Sequence, residues 1–154
     1  MARMKAGSRR EVGSLAPTGP VPTEGELFVR VRYCECDPMG VAHHAASIPW
    51  LEMARTELLR GSGVTYAAME AEGIFLVVTR LETRYRAPAR YDDEMLIRTR
   101  VTGGGRARLD HEYEVWTYDR SASQKLVLCV QANTTLACVD AHGKPRALPG
   151  WLRV

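Results

Sequence analysis

Cysteine is scarce in this chain. There are four, Cys34, Cys36, Cys129 and Cys138, and no two form a CxxC pair. Their spacing to His43, His44, His111 and His142 matches no zinc template, so no metal centre is expected. Thiols used this sparingly, with no secretory leader, read as reduced cysteines of a cytoplasmic protein that pack as small hydrophobes. Long apolar runs are also missing, and the N-terminus lacks the apolar core of a signal peptide. No membrane partner is expected. Nor is there an excess of one charge: the formal balance is +3, and Arg3, Lys5, Arg9 and Arg10 supply part of it. Without a long basic stripe or a recognition motif, no nucleic-acid partner is expected. The absence of G-x-S-x-G speaks against a serine hydrolase, and no Gly-rich loop of the P-loop type occurs.

What is present fits one domain. A chain of 154 residues with 45% apolar side chains is long enough to bury a core. Residues 1–25 contain Gly13, Pro17, Gly19, Pro20, Pro22 and Gly25 but few large apolar groups. They read as a disordered tail. The folded part is expected over 26–141, and 142–154 reads as a C-terminal tail.

Within that domain the period of the apolar residues changes twice. Leu27, Val29, Val31 and Tyr33 alternate with Arg30 and Arg32, which predicts a half-buried strand over 27–35. On such a strand Cys34 and Cys36 would share a face. From Ser47 to Arg60 the period becomes helical, with Leu51, Ala54 and Leu58 on one stripe and Trp50 and Leu59 beside it. Glu52, Arg55, Thr56 and Arg60 fall largely elsewhere. Pro49 is tolerable only in the first turn, and Gly61 and Gly63 end the helix. A short helix is expected over 66–72. Strands follow over 74–86, 94–101, 106–118 and 126–139, with a glycine turn at Gly103, Gly104 and Gly105. Short loops between consecutive strands favour antiparallel pairing. One helix cannot cover both faces of five strands, so the sheet is expected to wrap around it, in an α+β fold.

The stretch between the first strand and the helix carries the chemistry. It reads Glu35-Cys36-Asp37-Pro38-Met39-Gly40-Val41-Ala42-His43-His44. It brings a carboxylate beside a helix N-terminus, where N–H groups are unpaired and the dipole is positive. Such a pairing can supply a nucleophile or base together with an oxyanion site. The plainer reading of Asp37 is a turn acid that caps the chain reversal. His43 and His44 could each touch a substrate or simply pack in the turn. Glu52 and Arg55, three apart, read as a helical ion pair.

Glu35-Cys36-Asp37-Pro38-Met39-Gly40-Val41, the following His44, and Trp50-Leu51-Glu52-Met53-Ala54-Arg55 resemble the 4-hydroxybenzoyl-CoA thioesterase family of hot-dog proteins. Tyr85-Arg86-Ala87-Pro88-Ala89 also looks like that family's segment after its second strand. The resemblance covers about residues 27–140 and implies a hot-dog fold, a five-stranded antiparallel sheet wrapped around a long central helix. It implies hydrolysis of an acyl-CoA or acyl-carrier-protein thioester. Asp37 then aligns with the active-site aspartate, and His44 with a second active-site position close to the N–H that polarises the carbonyl. Val41 and His43 are expected to line the substrate site. Arg106 and Arg108 stand where relatives often place basic residues for the nucleotide of CoA. The resemblance also implies a homodimer or homotetramer with sites between subunits. No cofactor is expected, coenzyme A being part of the substrate. Alternatives are a non-catalytic acyl-thioester-binding protein and a hot-dog hydratase or dehydratase. Ala46 and Ser47 depart from the asparagine and tyrosine of many relatives, so the acyl group is not transferable from any one of them.

Overall fold

The structure, a computed structural model, describes residues 15–153. Five strands form one antiparallel sheet: β1 (Glu24–Arg30), β2 (Phe75–Tyr85), β3 (Glu94–Gly104), β4 (Arg108–Asp119) and β5 (Gln124–Val139). Their order across the sheet is β1-β3-β4-β5-β2, so β1 and β2 are the edges. Between β1 and β2 in sequence lie helix α1 (Ser47–Arg60) and the short α2 (Tyr66–Ala71). The expected α+β architecture is present, one long helix on the concave side of five antiparallel strands.

Alternation explains which sheet face the helix covers. Met95 and Ile97 on β3, Tyr113 and Val115 on β4, and Val130 and Ala132 on β5 are buried against Trp50, Leu51 and Ala54 of α1. Each large apolar side chain fully buried there is worth roughly 1.5–3 kcal/mol. Farther along the same face Leu109, Leu136 and Cys138 form a second core with Leu59, Val64, Met69 and Ile74. The opposite face of the sheet is charged. Glu26 pairs with Arg98 at 3.1 Å, and Arg80 and Arg84 flank Glu82 at 2.8 and 3.2 Å.

Several expectations change. The first strand is Glu24–Arg30, not 27–35; the chain then makes a single 3₁₀ turn at Tyr33–Glu35. Tyr33 is therefore 82% exposed rather than inward-facing, and Cys34 and Cys36 are not on a strand. The 1–25 tail is described only from residue 15. From there it is packed: Leu15 and Val21 lie against the second core, and Thr18 N–H donates to Ser62 O at 2.9 Å. The remainder of that expected tail lies outside the described residues. The C-terminal stretch is docked as well. Leu148 and Leu152 are buried, and Leu148 N–H donates to Arg106 O at 2.7 Å. On β2 a bulge at Thr79 reverses the alternation, so Val77 pairs with Ala137 but Leu81 with buried Thr134, on the other face. At the β3–β4 turn the backbone comes so close that a Cβ on Gly104 would lie 2.5 Å from Arg108 O. Only glycine fits there.

Candidate active site

The site begins with a loop closed at its base. Asp37 N–H donates to Val41 O at 3.0 Å, Cys36 and Ala42 form an isolated bridge, and His43 N–H donates to Glu35 O at 2.7 Å. Inside this frame Pro38 and Met39 turn the chain. Gly40 closes the turn at φ +75°, a left-handed conformation that suits glycine, with its N–H on Asp37 O at 2.9 Å. The loop therefore delivers Asp37 and His43 from opposite strands of a small hairpin.

The Asp37 carboxylate is half-buried and divides its two oxygens. Oδ1 accepts the Met39 N–H at 2.9 Å, an Asx turn that fixes the side chain. Oδ2 has no hydrogen-bond partner among the described residues, which leaves one oxygen for chemistry. The chain then enters a 3₁₀ turn, His44–Ala46, that runs into α1. His43 caps it: its Nδ1 accepts the Ala45 N–H at 3.2 Å. The neighbouring Ala46 N–H is held by His43 O at 2.8 Å, whereas the His44 N–H meets no acceptor among the described residues. A free donor at the positive end of a helix is suited to a developing oxyanion.

A cavity of about 390 Å³ opens over these groups. Asp37, Val41, His43 and His44 line one side, Ser47 and Trp50 the helix side, and Tyr85, Arg86, Cys129 and Val130 the sheet side. Tyr85, at the end of β2, donates its hydroxyl to His44 O at 2.7 Å and ties the edge strand to the helix entry. The rings of His43 and His44 lie 3.9 Å apart, centroid to centroid. The sheet side is fixed by Arg86 N–H on Cys129 O at 2.8 Å and by Ala42 N–H on Ala89 O at 2.8 Å. A larger hollow of about 440 Å³ on the outer sheet face lies among Glu26, Arg98, Glu112 and Glu114 and holds none of the expected residues. Among the described residues no three His, Cys, Asp or Glu side chains converge as metal ligands, and no helix is long and apolar enough to cross a membrane.

Four of the six expected site residues, Asp37, Val41, His43 and His44, are thus brought together. Arg106 and Arg108 are not. Arg108 pairs with Ala137 and the cavity's Val130 pairs with Val115, seven residues apart along β4 and β5, or roughly 23 Å. Arg108 instead meets Asp110 at 3.0 Å. Among the described residues the cavity lining includes one arginine, Arg86, whose Nε donates to Gln131 Oε1 at 3.0 Å.

Sequence reasoning placed Glu35 in the family-like segment but gave its side chain no role. It reads as the polar end of a strand, yet it is 8% exposed. Its Oε1 accepts the Trp50 indole N–H at 2.9 Å and Arg32 Nη2 at 2.8 Å, and its Oε2 accepts the Arg32 backbone N–H at 2.7 Å. Burial alone would raise its pKa, but the Arg32 and Trp50 hydrogen bonds together hold it below its ordinary value. No local spacing announces this role, because the indole lies fifteen residues along the chain.

Comparison with known proteins bears on the family and the fold. The family model of the thioesterase-like superfamily matches residues 31–154. The acyl-CoA thioester hydrolase YbgC of Escherichia coli O6:H1 is 38% identical over 122 residues, spanning 79% of this chain and 87% of that protein. A probable thioesterase from Bartonella henselae superposes with a TM-score of 0.73 at 28% identity, over 82% of this chain and 99% of that one. A 4-hydroxybenzoyl CoA thioesterase complexed with 4-hydroxybenzoyl CoA superposes with a TM-score of 0.74 over 83% of this chain and 94% of that one; at 16% identity it bears on the fold alone, which is the hot-dog fold. The helix wrapped by five antiparallel strands and the sequence match agree, and the chain belongs to the thioesterase-like superfamily.

Proposed function

We propose that this thioesterase hydrolyses an acyl-CoA thioester at Asp37, which acts as nucleophile or general base while the His44 N–H polarises the carbonyl. One observation carries the reading: Asp37, with one oxygen unengaged, and the start of α1 line the same cavity. A thioester carbonyl is weakly stabilised and its thiolate leaves readily. The site therefore needs an attacking oxygen and an oxyanion donor, and no metal or cofactor, coenzyme A being part of the substrate. Val41 and His43 flank the acyl group, and the His44 side chain borders the reacting carbon. Arg106 and Arg108, too far along the strands to act on their own chain's cavity, bind CoA phosphates at a neighbouring subunit's site. That makes the working unit a homodimer or homotetramer, located in the cytoplasm.

The exposed edge of β2 supports assembly. Val77, Val78, Leu81 and Tyr85 are 37–50% exposed along it, and a bare apolar edge needs cover. Light scattering at micromolar concentration is expected to give at least a dimer; a monomer would remove the shared site.

The central test is Asp37→Asn assayed with a panel of acyl-CoA esters and a free-thiol reagent. Turnover should fall by roughly 10²–10⁴-fold, the scale of an essential acid–base group, with melting temperature and oligomer unchanged. The Asx turn to Met39 favours one rival, an acyl-binding protein in which Asp37 only shapes the loop. Asparagine caps as well as aspartate, so that rival predicts a silent substitution.

A further inference from the structure

We infer that Glu35 is a positioning residue for this reaction, holding the Asp37 loop in register with helix α1 through the Trp50 indole. The inference rests on the assignment of Asp37 as the reacting carboxylate. Glu35 joins three pieces of chain, the turn after β1, the far arm of the Asp37 loop and helix α1, and it alone bonds to all three. Its side chain closes the 3₁₀ turn after β1 by taking the Arg32 N–H at 2.7 Å. Its carbonyl takes the His43 N–H at 2.7 Å, at the far side of the loop. Its Oε1 takes the Trp50 N–H at 2.9 Å, on the helix. A local cap would need only the first of these bonds. The third reaches fifteen residues away to a side chain that itself lines the cavity.

Asp37 lies two residues beyond Glu35, and His44 one residue beyond His43. A shift of Glu35 relative to Trp50 therefore displaces the carboxylate and the oxyanion donor against each other. Misplacement by about 1 Å costs on the order of 10²-fold in rate. The ionised form is required because all three partners of the carboxylate are donors. In Glu35→Gln the amide NH₂ would face a donor at Arg32 N or at Trp50 Nε1, breaking one link whichever way the amide turns.

The test is Glu35→Gln and Trp50→Phe, singly and together, beside Asp37→Asn. Expected for Glu35→Gln is a fall in kcat of about 10-fold or more, with KM for the acyl-CoA ester within about 2-fold of the parent. Trp50→Phe keeps an aromatic ring but removes the donor, so it should lower kcat as well. The double variant should be little worse than the worse single one, because both break the same link. Unchanged kcat in Glu35→Gln, or losses that multiply in the double variant, would overturn the inference. So would a KM change with kcat preserved. Should Glu35→Gln fail to fold, Trp50→Phe alone carries the test by the same split between kcat and KM. If Asp37→Asn is silent, the functional reading fails; if Asp37→Asn is dead and Glu35→Gln fully active, only the role of Glu35 fails.

Discussion

Two charged side chains are buried at helix α1, Glu35 packed against it and Arg55 on it, and the protein treats them differently. Glu35 sits near the helix start with every carboxylate contact a short hydrogen bond. Arg55 sits farther along, 9% exposed in its side chain, with Nη2 at 3.3 Å from the largely exposed Glu52. Its Nε lacks a partner, and so do Thr99 Oγ1 and His111 Nδ1 among the described residues. Arg55, Thr99, His111 and Thr134 form a polar belt across the inner face, between the Trp50 core and the Leu59 core. The Arg55 guanidinium also hydrogen-bonds the Tyr66 and Tyr113 hydroxyls, so the difference lies in the belt's three orphan atoms, which the Glu35 cluster does not have. The belt carries the less favourable balance, since a buried polar group left unpaired costs about 1–3 kcal/mol.

Acid should separate the two regions. Burial, then the Arg55 charge, lowers the pKa of His111 from 6.5 to about 4, while Asp110 opposes the shift. A depressed folded pKa means the unfolded chain takes the proton first. The stability tied to a neutral His111 is complete above pH 6.5 and is lost as pH falls toward 4, by about 3 kcal/mol in all. Glu35 contributes in a lower window, above its ordinary value of 4.5, and that contribution disappears only under stronger acid. Denaturant unfolding from pH 7 to 4.5 should show the His111 loss in the parent and a flatter profile in His111→Phe. An unchanged profile would mean that the belt does not govern acid sensitivity.

Substitution should sharpen the contrast. Glu35→Ala strands the Trp50 and Arg32 N–H groups and should cost about 1–3 kcal/mol. Arg55→Met removes the desolvation cost of a buried cation together with its contacts to Glu52, Tyr66 and Tyr113, and should come out near neutral. Urea midpoints with a common m-value would measure both. Equal losses in the two variants would erase the distinction. The smallest effect belongs to the distant arginines. Arg106→Ala with Arg108→Ala should raise KM a few-fold at constant kcat, because lost phosphate pairing is uniform binding. High salt should mimic part of it in the parent.

The fold was legible because its signal is periodic. Alternation marked β3, β4 and β5, and a helical period marked α1 from Ser47. Where the period carries on past the real element, it misleads. Val31 and Tyr33 continue the alternation of β1 into a 3₁₀ turn, and the Thr79 bulge reverses the face of β2 without any sign in composition. The Asp37 loop was legible as a local motif, since its proline, glycine and histidines lie within eight residues. Glu35 and Arg55 were not, because burial of a charge depends on what faces it across the core. The reach of Arg106 and Arg108 was also hidden, being set by strand register rather than by spacing.

The unoccupied donor at His44 has a consequence for solvent. Ala42, His43, Ala45 and Ala46 each lend their amide proton to an acceptor, while His44 keeps its own. In deuterated water these five neighbours should exchange unevenly, one quick site bracketed by slower ones. A bound acyl group that takes the His44 proton would slow that site selectively. The amide that serves the carbonyl would then be identified by its clock, with no substitution made.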